Sequence, residues 1–480
     1  MNGMKFPRLR SLIWAGLCTA ACLIFVACNK PGSYKKLPPA AARQARLDWN
    51  LKTLVDTYKT KGNTDPAWDE PALLALTEFA RVRSQSLEPG EPWKEIIATN
   101  CAEAIEYHCD DPMIAYLHAR FALSQTNSPK VFTDALCKAA QDLQQSGYPS
   151  IRKFYAWQRA GEQVFYTYGY RTNIPTEFDR LMIWPQAETD FLEALSDRTM
   201  PPEEAYDAAH EILEVWRGSF THYLVLYESI QKRLPPATLN DPVFLLLEGE
   251  ANIAQAWQAR GGGYADTVTK KGAAMFEEDL AIAAKVLTKA WRLNPGDVRI
   301  PTQMLSVELG QGEGRERMEL WFKRAMALDA NNYDACIKKL TYLEPKWYGS
   351  VEDMLNFGHE CVENKDWGGR VPLILSVAHD RIYYQYIEKS EQANYWKQPE
   401  VWPDIQTAFD RFFELNPYAI GWYHNYAWYA YHSEQWKKLN ALIPKLGPVN
   451  YKYFGGEDEF NRMLRLAKDH SGSPKAEENK

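Results

Sequence analysis

The chain has 480 residues, of which 46% are apolar and 13% aromatic, and its 55 basic and 62 acidic residues give a net charge of −7. This length and apolar content are enough to bury a large core, which excludes a chain that is disordered throughout. The acidic balance excludes a general nucleic-acid-binding protein, because such a protein carries a basic face.

The first 28 residues have the layout of a secretory signal. Basic residues precede an apolar run from Leu12 to Ala27, which is the order found in export signals. The end of the run, Phe25-Val26-Ala27-Cys28, resembles the bacterial lipobox. This resemblance implies that Cys28 is lipidated and becomes the first residue of the mature protein. Two alternatives remain: an ordinary cleaved signal, or an uncleaved anchor, although the run is shorter than the roughly 20 residues that span a bilayer.

All three interpretations place most of the protein outside the cytoplasm. We therefore expect a lipid-anchored protein of the cell envelope, at the outer membrane or facing the periplasm. Residues 29–41 contain several Pro and Gly residues and form the predicted tether. Residues 470–480 are polar and form a predicted disordered tail.

Helices are predicted throughout the rest of the chain, in an N-terminal helical region (residues 42–183) and a helical repeat region (residues 184–469). Apolar residues recur at helical spacing, and no stretch alternates apolar with polar residues as a strand would. The aromatic stretch from Tyr166 to Pro185 is interpreted as a longer connection or a boundary between the two regions. Acidic residues such as Glu203-Glu204 are expected at helix starts or surfaces, where the helix dipole and solvent account for them. The predicted helices before the repeat are residues 40–58, 69–83, 92–107, 150–165, 185–196, 222–234 and 242–260, with further starts at residues 112, 129 and 201.

A helix-turn-helix pattern occurs twice near the middle of the chain. Ala290 and Leu293 precede Asn294-Pro295, and Ala325 and Leu328 recur at an offset of 35 residues (325 − 290). Such a period is typical of stacked helix pairs, since one pair cannot bury its apolar face alone. A third copy ends at Leu415, and its distance from Leu328 (415 − 328 = 87) is not a multiple of 35. This irregular spacing indicates an insertion near residues 390–403.

These patterns resemble tetratricopeptide repeats. The resemblance implies an all-α, right-handed α-solenoid of antiparallel helix pairs. Three further stretches resemble a bacterial helical-repeat family catalogued only as a domain of unknown function, and that family implies no reaction. They are His108–Pro112, Ala259–Tyr264, and Lys346–Ser350 leading to Met354-Leu355.

The glycine-rich segment from Gly261 to Thr269 is one place where a ligand could bind. It lacks the Gly-Lys-Ser/Thr ending of a phosphate-binding loop, and no strand precedes it. We interpret it as a flexible or tightly packed connector. The alternative is a ligand-contacting loop in which Tyr264 and Asp266 make the contacts.

Cys336 and Cys361 are a candidate disulfide. The helices on either side of a turn at residues 345–350 would place the two cysteines level across an antiparallel hairpin, within the roughly 4.4–6.8 Å between Cα atoms that a disulfide needs. The alternative is two buried thiols that act as small apolar residues.

Three functional hypotheses follow. The first is a non-enzymatic, lipid-tethered scaffold that binds a partner protein or peptide, and its support is the 35-residue repeat, the lipobox and the absence of a catalytic motif. The second is a binder of surface glycans or other small ligands, with Trp422, Tyr426 and Trp428 of an aromatic hairpin as the contacts. The third is a hydrolase whose acids converge in a pocket, which two close carboxylates with raised pKa values would favour.

Overall fold

The computed structural model describes residues 39–87, 91–123, 128–169, 178, 182–215, 223–263, 265–447, 449 and 451–470. The chain divides into two compact units, residues 1–36 and 37–480, and every described residue belongs to the second. Within the described ranges all regular elements are helical and no strand occurs, which confirms the all-α prediction. The signal segment with Cys28, most of the tether, Tyr264 and residues 471–480 lie outside the described residues.

The helices are numbered in the order in which they follow one another along the chain. They are α1 (Pro39–Leu51), α2 (Thr57–Lys61), α3 (Asp69–Arg83), α4 (Trp93–Glu106), α5 (Pro112–Phe121), α6 (Pro129–Gln144), α7 (Ser150–Tyr168), α8 (Ile183–Ala194), α9 (Pro202–Val215), α10 (Tyr223–Arg233), α11 (Pro236–Leu239), α12 (Pro242–Arg260), α13 (Lys270–Leu293), α14 (Arg299–Gln311), α15 (Arg315–Leu328), α16 (Tyr333–Tyr342), α17 (Val351–Glu363), α18 (Ile374–Gln385), α19 (Lys389–Tyr395), α20 (Val401–Leu415), α21 (Tyr423–His432), α22 (Trp436–Leu442) and α23 (Glu457–Asp469). A π-helical turn, Lys52–Asp56, joins α1 to α2.

Capping residues fix where several helices begin. The Asp111 carboxylate accepts hydrogen bonds from the backbone N–H groups of Met113 (2.9 Å) and Ile114 (3.2 Å), and Asp241 accepts one from Val243 (3.0 Å). In both cases Pro follows the cap, at a position whose missing N–H costs no hydrogen bond. This is why the predicted starts of α5 and α12 agree with the observed ones.

Most helices pack against helices one or two places away in the chain. Thus α12 packs against α13, α7 against α8, and α14 against α13, α15 and α16. Close approach requires small residues: a Cβ atom at Gly249 of α12 would overlap the Leu287 side chain of α13. One extended core results, to which nearly every helix contributes.

The repeated pattern corresponds to equivalent helix ends. Helices α13, α15 and α20 all end at the leucine of the pattern. The next residue then donates its backbone N–H to the carbonyl four residues back, at 2.8 Å (Asn294 to Ala290), 3.0 Å (Asp329 to Ala325) and 2.9 Å (Asn416 to Phe412). The short helix α19 overlaps the segment predicted to be an insertion.

One group of contacts joins helices that are far apart in the sequence. Side chains of α1, α3 and α7 meet α9, although α1 and α9 are about 150 residues apart in the chain (Arg46 and Glu204 are separated by 158 positions). This junction forms the wall of the candidate site.

Candidate functional site

Glu204 on α9 is the centre of a buried ion network. Its side chain is fully enclosed and accepts hydrogen bonds from Arg46 Nε (2.7 Å), Arg83 Nη2 (3.0 Å) and Tyr155 Oη (2.7 Å). Burial raises the pKa of this carboxyl, but the positive charges of Arg83, Arg46 and Arg152 outweigh burial and hold the pKa at about 2. The carboxylate therefore stays ionised, as a buried counter-charge to several arginines must.

Arg152 on α7 extends the network to the first helix. It is completely buried, and its Nη2 donates to Asn50 Oδ1 (2.6 Å) and to Thr53 Oγ1. Thr53 lies in the π-helical turn. Burial lowers the pKa of the guanidinium to about 10, so it remains charged at neutral pH.

The expectation that helix dipole and solvent account for Glu203-Glu204 is wrong for Glu204. Both residues are in the first turn of α9, but Glu204 faces the core and is 0% exposed. Its arginine partners are 158 and 121 residues away in the chain, so no local pattern could reveal the pairing. A weaker signal was available: Glu204, Asp207 and Glu211 are spaced to share one face of a helix.

The same face of α9 leads into a polar cleft of about 510 Å³. We call this the α9 cleft. Its lining comes from α9, α12, α14 and α16, from the turn after α3, and from the turns before α14 and α16. The residues are Gln85, Tyr206, Asp207, His210, Glu211, Glu250, Val298, Arg299, Thr302, Gln303, Asp329, Asn332 and Asp334.

Glu250 is held in the wall of the α9 cleft by two donors. Tyr206 Oη donates to Glu250 Oε1 at 2.9 Å, and Gln303 Nε2 donates to the same oxygen at 3.0 Å. Burial raises the pKa of Glu250, while His210 and these hydrogen bonds oppose the rise. The result is a carboxyl group in a fixed position that can accept a proton more readily than an exposed one.

The charged lining of the α9 cleft is mainly acidic. Five carboxyl groups line it against one guanidinium, that of Arg299. That guanidinium is already paired with Asp297 (2.7 Å) and Glu203 (3.0 Å).

Two of the five carboxylates also belong to the ion network. Asp207 pairs with Arg46, and Glu211 pairs with Arg83 at 3.0 Å. Of the other three, Asp334 lies 3.9 Å from Lys338, but its side chain is 64% exposed, and such a pair contributes little. Glu250, Asp329 and Asp334 are therefore the groups that make the cleft favourable for a cation.

The described residues of the glycine-rich segment do not line the α9 cleft. Arg260 Nη1 donates to the carbonyl groups of Gly261 and Gly263, both at 3.2 Å, so the segment folds back on the end of α12. Asp266 is exposed in the 3-10 turn Ala265–Thr267, and Tyr264 lies outside the described residues.

Among the three predicted aromatic contacts, Tyr426 lies in the core and not on the surface. It is 1% exposed, stacks on Phe409 with ring centroids 4.6 Å apart, and donates its hydroxyl to Asp410 at 2.9 Å. Trp422 and Trp428 are half-buried. Because α20 covers this face of α21, Tyr426 cannot serve as a ligand platform.

Cys336 and Cys361 meet across the α16–α17 hairpin. Both thiols are fully buried and free in the structure. Burial, together with a hydrogen bond to the Cys336 thiol, raises the pKa of Cys361 well above its ordinary value. The disulfide between them stays a prediction.

Two further properties concern the described part of the chain. None of its helices is both long enough and apolar enough to span a membrane. It also contains no group of three or more His, Cys, Asp or Glu side chains placed to hold a metal ion.

Comparison with known proteins leaves the family open. No protein-family model matches the sequence, and a search of curated proteins gives no match. The function proposed below is therefore inferred from the residues of the α9 cleft.

Proposed function

We propose that this chain is a non-enzymatic binding protein of the cell envelope, whose α9 cleft receives a protonated amine or guanidinium group of a partner protein or peptide. The observation that supports this is the excess of carboxylates in the cleft, three of which lie outside the ion network (Glu250, Asp329 and Asp334). Basic side chains of a peptide provide the complementary charge.

The scaffold in this proposal is a tetratricopeptide-like array. Its support is the equivalent ending of α13, α15 and α20, together with the complete burial of Ala290 and Ala325 at the same place in two copies. In such arrays, stacked helix pairs create extended surfaces that bind peptides.

The proposed anchor is a lipid on Cys28. Its support is the sequence alone, where a basic start and an apolar run end in Ala27-Cys28. Labelling of expressing cells with radioactive palmitate tests it. We expect label in the parent chain and none in Cys28→Ser; equal labelling of both would rule out an anchor at this residue.

Peptide binding to the full chain tests the cleft. We expect fluorescence anisotropy to show that a lysine-rich peptide binds and that a glutamate-rich peptide of equal length does not, with affinity falling as salt rises. The variant Glu250→Gln should bind the basic peptide about tenfold more weakly. The control Glu352→Gln removes an exposed carboxylate from the start of α17 and should bind normally. Equal affinities for the two variants would contradict the proposal.

A hydrolase remains the second candidate because of one observation. Both Glu211 and Glu250 line the α9 cleft, and burial raises the pKa of both carboxyl groups. The pairing of Glu211 with Arg83 makes a structural role the better account of that group. Time-dependent cleavage of the basic peptide by the parent chain, lost in Glu250→Gln, would replace the binding proposal with this one.

Binding of surface glycans stays a prediction with narrower support. With Tyr426 in the core, it rests on the half-buried Trp422 and Trp428.

A further inference from the structure

A second cavity, of about 270 Å³, lies near the C-terminal end of the described chain. We call it the aromatic cage. Helix α21 contributes Trp428, Tyr431 and His432, the 3-10 turn Tyr451–Phe454 contributes Phe454, and α23 contributes Glu459 and Met463. Gly455 completes the lining, so the walls are mainly aromatic rings and a thioether, with one carboxylate at the edge.

The carboxylate of Glu459 is held in place at the edge of the cage. Tyr431 Oη donates to Glu459 Oε1 at 2.9 Å. Arg462 lies 3.4 Å from the same oxygen, but its side chain is 62% exposed, and such an exposed pair contributes little. Because the Glu459 carboxylate also lines the cage, a cation bound inside it would lie near this negative charge.

The imidazole of His432 also lines the cage and carries no positive charge at neutral pH that would repel a cation. His432 packs on Trp428 with ring centroids 4.1 Å apart. Burial lowers the pKa of His432, against the smaller opposing effect of Glu459. The neutral imidazole adds an aromatic surface and does not repel a cation.

We propose that the aromatic cage binds an alkylated ammonium group, such as the trimethylammonium head of choline. The negative faces of aromatic rings attract a cation, and several rings around one cavity are the arrangement that recognises quaternary ammonium groups. The methyl groups match the apolar walls, and the positive charge lies near Glu459. A sugar fits less well, because most of its hydroxyl groups would lose water without gaining hydrogen-bond partners.

This site shares no residue with the α9 cleft and does not depend on the function proposed for it. Titration calorimetry of the full chain with choline and with 3,3-dimethylbutan-1-ol tests it. The second compound has the same shape as choline without the charge. We expect saturable binding of choline, and binding of the neutral compound at least about tenfold weaker.

Two matched variants locate the binding. Glu459→Gln keeps the size of the side chain and removes its charge, so choline affinity should fall about tenfold. Glu457→Gln removes an exposed carboxylate two residues earlier in α23 and should bind choline as the parent does. Thermal unfolding midpoints of both variants show whether each remains folded.

Three results would overturn the proposal: no binding of choline, equal binding of choline and its neutral counterpart, or unchanged affinity in a folded Glu459→Gln variant. Binding of methyl glucoside in place of choline would assign the cage to a sugar.

Discussion

Different interactions stabilise the N-terminal and the C-terminal parts of the described chain. Around α1, α3, α7 and α9, buried ions join helices that are distant in the sequence, with Arg46 and Glu204 separated by 158 positions. Around α20 and α21, stacked rings join consecutive helices: Phe413 and Tyr423 have centroids 4.2 Å apart. The two regions should therefore differ in how much stability they lose when a single side chain is changed. A buried ion network depends on every partner, whereas an aromatic cluster spreads its stabilisation over many contacts.

The largest expected effect comes from neutralising the centre of the ion network. Glu204→Gln leaves the buried charges of Arg46, Arg83 and Arg152 without their shared counter-charge, and we expect a loss of ~3–5 kcal/mol in the free energy of unfolding. Urea unfolding followed by circular dichroism measures it. The neighbouring control Glu203→Gln removes the charge of a side chain that is 45% exposed and should cost less than ~1 kcal/mol. Equal losses for both variants would show that the network is not what holds this end together.

Acid should reproduce part of this effect without a mutation. The network lowers the pKa of Glu204 from its ordinary value of 4.5 to about 2. The resulting stabilisation is fully present above pH 4.5 and is lost as the pH falls towards 2, by up to ~3 kcal/mol. Unfolding midpoints measured at several pH values in this range test it. Over the same range Glu204→Gln should lose less stability than the parent; parallel curves would contradict the assignment.

The smallest expected effect is a single change in the aromatic cluster. Tyr426→Phe keeps the ring that stacks on Phe409 and removes only the hydroxyl that donates to Asp410. We expect a loss of ~1 kcal/mol. The same urea unfolding measurement provides the comparison with Glu204→Gln. A loss as large as that of Glu204→Gln would mean that this end, too, depends on single polar contacts.

The contrast also explains which features could be predicted from the sequence. Local signals predicted α12 from Pro242 to Arg260, and the turn geometry brought Cys336 level with Cys361. The partners in those cases lie within one helix or one hairpin. Similar reasoning predicted the aromatic hairpin but not which rings face outward, because burial of Tyr426 depends on how α20 packs.

The candidate sites depended on contacts that local patterns do not encode. In the α9 cleft, Tyr206, Glu250 and Arg299 come from three helices, and none belongs to a recognisable motif. The aromatic cage needs Phe454 and Glu459 beside Trp428, which only the return of α23 towards α21 provides. Sequence periodicity predicts helices, but long-range packing decides which polar groups meet.

The distance in sequence between Arg46 and Glu204 also sets an order for folding. Helix α1 leaves the ribosome long before α9, so Arg46 lacks the Glu204 carboxylate until the whole N-terminal region and the start of α9 have been made. Contacts of such high sequence separation form late, because a long loop must close first. Any fragment that ends before Glu204 leaves Arg46, Arg83 and Arg152 without their central carboxylate. The first helices therefore complete their packing only after α9 has been synthesised.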